Sequence, residues 1–149
     1  MALSKHVYAE FEAVVGPEYI CDDPAIMPSY HNTEFAAVVL PESTAQVAAL
    51  IKLCNKHKVP FRPVCTGWTG KFAAGSLYLD LRRMNRIVEI NEKNMYAVVE
   101  PYVITAQLQA ELMKRGLHLN VKGAGPRCAR SSPAPRRPGP PRGCSPRRR

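Results

Sequence analysis

Residues 35–65 read FAAVVLPESTAQVAALIKLCNKHKVPFRPVC and carry three signals in one run. Phe35 to Leu40 is a short, unbroken apolar stretch stopped by Pro41, the pattern of a strand buried on both faces. Ser43 and Gln46 then stand at the spacing of a capping box, after which Val47, Leu50, Ile51 and Cys54 recur at helical spacing as far as His57. Phe61 to Cys65 returns to extended character, and its prolines at 60 and 63 place it at a sheet edge rather than a centre. Strand, helix and strand make a β-α-β unit, whose crossover is expected to be right-handed and whose strands are expected to be parallel.

The flanks extend this core in both directions. Upstream, Val7, Phe11, Val14 and Val15 give an amphipathic helix with Ser4 as N-cap and Gly16-Pro17 as its stop. Residues 17–34 have no sustained period and read as loop. Downstream, strands are expected at 77–81, 86–91 and 94–101, with residues 91–94 turning the last two into a hairpin. A second capped helix begins at Thr105 and ends at Gly116. The fold class is therefore α+β: a β-α-β-β subdomain followed by the start of a second α/β subdomain.

Ligands of open α/β sheets gather beyond the carboxyl ends of strands, so the segment after Cys65 matters most. It runs from Thr66 to Ser76 with glycines at 67, 70 and 75. Such a turn exposes backbone N–H groups that can form a nest for an anion such as a pyrophosphate. Lys71 adds a charge, and Thr66, Thr69 and Ser76 add hydroxyl donors. The bland alternative is a tight connection that needs positive φ at Gly67 and Gly70. Two better-known motifs fail: Lys71 is followed by Phe72 and preceded six positions earlier by Cys65, so there is no P-loop. The glycines also miss the G-x-G-x-x-G spacing, and a strand rather than a helix follows them.

Three stretches together resemble a known family: VVLPESTAQVAALIKLCNKHKVPFRPVCTGWTG, then LYLDLRRMNRIVEINEKNMYAVVEPYV, then TAQLQAELMKRGLHL. In order of elements, in the Pro-x-Ser helix entry and in the LDLRRMNRI strand, they are similar to the FAD-binding domain of the vanillyl-alcohol oxidase and p-cresol methylhydroxylase (PCMH) type. Glycolate oxidase and D-lactate dehydrogenase FAD subunits belong to that group. The resemblance covers roughly residues 5–125. It implies that Thr66, Gly67, Trp68, Thr69, Gly70, Lys71, Gly75 and Ser76 run along the pyrophosphate of FAD. It also implies an oxidoreductase that oxidises a small organic substrate, with a 2-hydroxy acid as one candidate, by hydride transfer to the flavin.

The chain departs from the family pattern at three places. Gly67-Trp68-Thr69-Gly70 stands where adjacent glycines are usual, and Tyr102 replaces the glycine of a Glu-Pro-Gly-Val turn. No histidine lies between 66 and 76, so FAD is expected to be held without a covalent bond. Near Gly123 the family would continue into a further flavin-contacting segment and a substrate domain. This chain is therefore expected to be an incomplete FAD-binding domain, residues 1–125, inactive alone and with no catalytic residue of its own to assign.

Residues 126–149 differ in kind. They hold eight of the chain's basic side chains, all arginine, with seven prolines and no acid, while residues 1–125 balance thirteen basic against twelve acidic side chains. Such a composition cannot bury enough apolar surface to order itself, so a disordered tail is expected. One reading makes it a nucleic-acid-binding or interaction element, with the body as scaffold. The other makes it the product of a frame-shifted, GC-rich coding segment, which its complete lack of lysine favours. The +9 formal charge belongs almost wholly to this tail and not to the body.

The remaining candidates read blandly. Five cysteines at 21, 54, 65, 128 and 144 show no paired spacing, and Cys54 and Cys65 are expected as reduced core thiols. His6, His31, His57 and His118 lack metal-ligand spacing and read as surface or capping residues, His57 against a helix dipole. Asp22 and Asp23 read as loop residues, Tyr30, Tyr78 and Tyr96 as packing residues, and Arg82, Arg83 and Arg86 as a solvated strand end. No apolar run long enough for a membrane span or a secretory signal is present, so a soluble, cytoplasmic protein is expected.

Overall fold

The computed structural model describes residues 3–30, 35–65 and 73–119. These fall into two units, one running to Arg83 and the other starting at Met84. The first opens with α1 (Lys5–Val15), where the Ser4 side chain accepts from the Val7 amide and Gly16, at φ 90, ends the helix. A 3-10 turn, Pro17–Tyr19, then leads into β1 (Ile20–Cys21). That strand corrects the loop expected over 17–34: it pairs antiparallel with β2 (Ala37–Val39), Ile20 opposite Val39. Two residues cannot display a period, so nothing local marked them as strand.

The capping box before α2 (Thr44–His57) forms in a shifted version. Ser43 Oγ accepts from the Gln46 amide at 3.3 Å, but Gln46 Oε1 accepts from the Glu42 amide at 2.8 Å rather than from that of Ser43. Lys58 closes the helix in the left-handed region, at φ 55. The sheet continues with β3 (Phe61–Val64) and β4 (Leu77–Asp80). Its order is β1-β2-β4-β3, and both β2 and β3 run parallel to β4. The two strands of the β-α-β unit are thus parallel to each other, with the later strand β4 inserted between them. Strand β3 takes the edge, where its prolines cost no ladder bond.

Burial follows this order. All of residues 35–41 are buried, as are all four of β4, while β3 is only partly so. Phe11 and Val15 of α1, Leu50 and Cys54 of α2, and Val38, Val39, Leu77, Tyr78 and Leu79 of the sheet join one core. Tyr78 stands at its middle, edge-to-face with Phe35 at 4.9 Å and with Tyr30 at 5.5 Å.

The second unit is a hairpin, β5 (Ile87–Asn91) and β6 (Tyr96–Val99), followed by α3 (Thr105–Met113). Its turn occupies residues 92–95, one later than expected. Asn91 Oδ1 accepts from the Asn94 amide at 2.9 Å, and Met95 takes a left-handed φ of 56. Helix α3 corrects a second expectation. Its N-cap is Ile104 with no side-chain cap bond, and Thr105 is already helical. Gly116 at φ 71 lets the Leu117 amide close onto the Leu112 carbonyl at 3.0 Å. A small core of Val103, Leu108 and Leu112, with Ile87, Ile90 and Ala97 against it, holds the unit together.

Candidate functional site

Parallel register fixes two edges on the sheet of the first unit. Ala37, Phe61 and Leu77 lie in one row at the amino edge, while Val64 and Asp80 pair at the carboxyl edge. The glycine-rich segment leaves β3 at the carboxyl edge and rejoins β4 at the amino edge. Of its candidate residues, Thr66, Gly67, Trp68, Thr69, Gly70 and Lys71 lie outside the described residues. Gly75 and Ser76 lie inside. Gly75 takes φ 74, a conformation that a side chain would strain.

Ser76 is fixed on both sides. Its amide donates to the Ala73 carbonyl at 3.2 Å, and its carbonyl accepts from the Ala36 amide at 2.9 Å. Its side chain is buried, and among the described residues the hydroxyl has no hydrogen-bond partner. Native interiors rarely leave a hydroxyl in that condition without a bound group to meet it.

The arginines after β4 do not form the solvated cluster expected. Arg82 binds the buried Asp80 carboxylate, Nε to Oδ2 at 2.8 Å and Nη2 to Oδ2 at 2.6 Å. Arg83 pairs with Glu42, donates to the Leu40 carbonyl at 3.0 Å and lies 3.5 Å over the Tyr19 ring. Arg86, in the second unit, pairs with Glu100 at 2.6 Å, and that guanidinium holds the Glu100 carboxyl below its usual range. Only Arg86 remains mostly exposed. The sequence pattern missed Asp80, although an acid inside the apolar run LYLDL, two residues before an arginine, was the available signal.

Glu10 gathers another group that sequence spacing did not show. Its two oxygens accept from Lys56 Nζ at 2.9 and 3.0 Å and lie 3.0 Å from His6 Nε2 and 2.9 Å from His57 Nε2. His57 therefore joins α1 to α2 besides facing its own helix terminus. These partners, His57 first and Lys56 second, lower the Glu10 carboxyl from 4.5 to about 2. A carboxyl depressed in the folded state stabilises the fold fully above its ordinary value and loses that contribution as pH falls towards its folded value. Acid unfolding curves are accordingly expected to show a loss of stability between pH 4.5 and about 2 that Glu10→Gln flattens. A mutant curve parallel to the wild type across that window would count against it.

The other singled-out residues stay structural. Asp23 Oδ1 accepts from the Ala25 amide at 2.9 Å, a turn contact. Cys21, Cys54 and Cys65 are thiols outside any disulfide, and burial pushes the Cys54 thiol up to about 11, which keeps it unreactive. His31, Cys128, Cys144 and the arginine-rich residues 126–149 lie outside the described residues, and the nucleic-acid alternative with them. Among the described residues no helix is long and apolar enough to cross a membrane.

Comparison with known proteins turns on the same stretch. A family profile described as "FAD binding domain" matches residues 35–130, from β2 past α3. The chain belongs to the FAD-binding domain family. It is 40% identical over 124 residues to a D-2-hydroxyglutarate dehydrogenase of Stutzerimonas stutzeri, covering 75% of this chain and 26% of that protein. It is 34% identical over 132 residues to a 1'-carboxy-chondrochloren decarboxylase of Chondromyces crocatus, covering 79% and 24%. The solved structure of p-cresol methylhydroxylase with substrate bound superposes with a TM-score of 0.62 at 25% identity, over 75% of this chain and 25% of that one. The FAD-binding domain thus has the p-cresol methylhydroxylase type of fold that its motifs resemble, and it spans about a quarter of the length of these relatives.

FAD is the cofactor of this family, and the described residues fit it at one point. The buried Ser76 hydroxyl, at the exit of the glycine-rich segment, has a hydrogen-bonding capacity that the described protein groups do not use. A phosphate oxygen would use it.

Proposed function

We propose that this chain is the FAD-binding portion of a flavin-dependent oxidoreductase acting on a small organic substrate, with a 2-hydroxy acid as the favoured class. The family match over residues 35–130 carries the reading. The relative named for D-2-hydroxyglutarate supports the substrate class. When bound, FAD supplies the redox chemistry by accepting a hydride. The chain's part is to bind and orient: residues 66–71, Gly75 and Ser76 line the pyrophosphate, and residues 126–149 form a separate basic tail. FAD is held without a covalent bond, since residues 66–76 offer no histidine. Buried thiols at Cys21 and Cys54, neither in a disulfide, suit a reducing, cytoplasmic setting.

Titration of the purified 149-residue chain with FAD, followed by flavin fluorescence, tests this. Saturable binding is expected, with all flavin released on acid precipitation and no dye reduction with 2-hydroxy acids. Absence of binding sinks the reading, and flavin retained in the precipitate sinks its non-covalent part. Ser76→Ala sharpens the test because its two effects have opposite signs. Removing a buried, unpartnered hydroxyl is expected to leave the FAD-free chain as stable or more stable, by up to about 1 kcal/mol. The same change is expected to weaken FAD binding by about tenfold, the cost of one charge-assisted hydrogen bond. Equal FAD affinity in mutant and wild type would remove Ser76 from the site.

A further inference from the structure

An unprotected strand edge is a template for another strand, and among the described residues every sheet edge but one is blunted. Strand β1 is two residues long, and β3 carries Pro63. Strand β5 is bulged at Val88 and shares a groove with Gln107, Glu111 and Arg115 of α3. Strand β6, Tyr96-Ala97-Val98-Val99, has no proline, no charge and no bulge, and its far edge pairs with no described strand. The Glu100 amide just beyond it donates to the Arg86 carbonyl at 2.9 Å. Backbone groups alternate in direction along an antiparallel strand, so Tyr96 and Val98 also turn theirs towards β5. Ala97 and Val99 therefore turn their N–H and C=O groups outward.

The side chains along this edge are apolar and uncovered. Ala97 packs against the α3 core, so Tyr96 and Val98 project from the opposite face. Met95 is 72% exposed, Tyr96 and Val98 are each 44% exposed, and Val99 is 38% exposed. Together they present on the order of 350 Å² of surface, the size of patch that marks contact sites on monomers. The rest of the chain is a poor cover for it: residues 120–149 contain one valine, Val121, and no Ile, Leu, Met, Phe, Tyr or Trp. The strand does fit itself. A two-fold axis through Ala97, perpendicular to the sheet, sets Ala97 opposite its own copy and lets the outward backbone groups of Ala97 and Val99 bond across. It also sets Tyr96 opposite Val98 of the second copy and Met95 opposite its Val99, and aromatic-to-β-branched pairs of this kind stabilise sheets.

We infer that β6 is a self-association surface, along which two copies of this chain pair antiparallel into a four-stranded sheet, β5-β6-β6-β5. The pairing is isologous and stops at two, because both outer edges are then the bulged β5. It gives each hairpin the additional strands that an isolated pair lacks. Counting both copies, apolar surface on the order of 700 Å² comes together, short of the roughly 1,200–2,000 Å² of stable interfaces, so the dimer is weak and dissociable. Flavin has no part in it.

Sedimentation velocity of the full chain without FAD, at physiological salt and from about 5 to about 500 µM, tests the inference at the concentrations where so small an interface associates. A reversible monomer-dimer equilibrium is expected. Val98→Lys places a lysine on the edge and is expected to raise the dissociation constant about tenfold or more. Val88→Lys adds the same charge on the bulge and is expected to leave it within about twofold. Circular dichroism and melting establish that each variant is native. Hydrogen exchange at the two ends of the concentration range adds a local reading: the Ala97 and Val99 amides are expected to gain protection as the dimer forms. Should Val98→Lys fail to fold, that exchange pattern decides alone. A monomer at every concentration, species larger than a dimer, equal weakening by the two lysines, or a dimer without new protection at Ala97 and Val99 overturns the inference.

Discussion

Tyr78→Ala is expected to lower the unfolding free energy by about 3–5 kcal/mol, the range for removing a large aromatic side chain from a core. Tyr78 is fully buried in β4, the strand flanked on both sides by parallel neighbours. Its ring also joins Phe35 and Tyr30 in edge-to-face contacts at 4.9 and 5.5 Å, which add to the burial energy. For a domain whose total stability is about 5–15 kcal/mol, that loss removes a large share of the margin. Urea unfolding followed by circular dichroism would measure it. A midpoint within error of the wild type would show that Tyr78 is not the packing centre described. Tyr78→Phe keeps the ring and its contacts, and is expected to cost far less.

The difference between what the sequence announced and what it hid follows the range of each signal. The β-α-β unit of residues 35–65 was legible because its evidence is local: an apolar run, a capping box and a helical stripe each fit inside one window. The edge position of β3 was legible for the same reason, since Pro60 and Pro63 are incompatible with a central ladder. Placing β4 between β2 and β3 was not legible, because strand order depends on which chains meet in space. The Glu10 group was hidden too: His57 and Lys56 lie more than forty positions from Glu10, and no periodicity links them.

The candidate site divides along the same line. The glycine-rich segment 66–76 announces itself by composition, and the family match covers it. The basic cluster at Arg82, Arg83 and Arg86 is visible as a run of charge, and the solvated strand end it suggests holds for Arg86 alone. Whether an arginine faces water or a buried acid depends on partners at Asp80, Glu42 and Glu100. Only Asp80 is a near neighbour in sequence, and there the local signal was present: a charge inside an otherwise apolar strand costs enough that it must be paired.

Leu108→Ala tests the second unit, where the expected loss is about 2–5 kcal/mol and the reserve against it is small. Its described core has three buried side chains, Val103, Leu108 and Leu112. A two-stranded sheet is marginal in water unless something packs on one face, and here α3 does so through that cluster against Ile87, Ile90 and Ala97. Backbone hydrogen exchange should therefore show β5, β6 and α3 losing protection together in the variant. Val88 provides the contrast. Register shifts between Ile87 and Glu89, so Val88 is the extra residue of a bulge, and it is 64% exposed. Val88→Ala is expected to change stability by less than about 0.5 kcal/mol. If Leu108→Ala left hairpin protection unchanged, the packing of α3 would not be what holds β5 and β6 together. Equal losses in the two variants would instead mean that strand propensity, rather than that core, sets the stability of the hairpin.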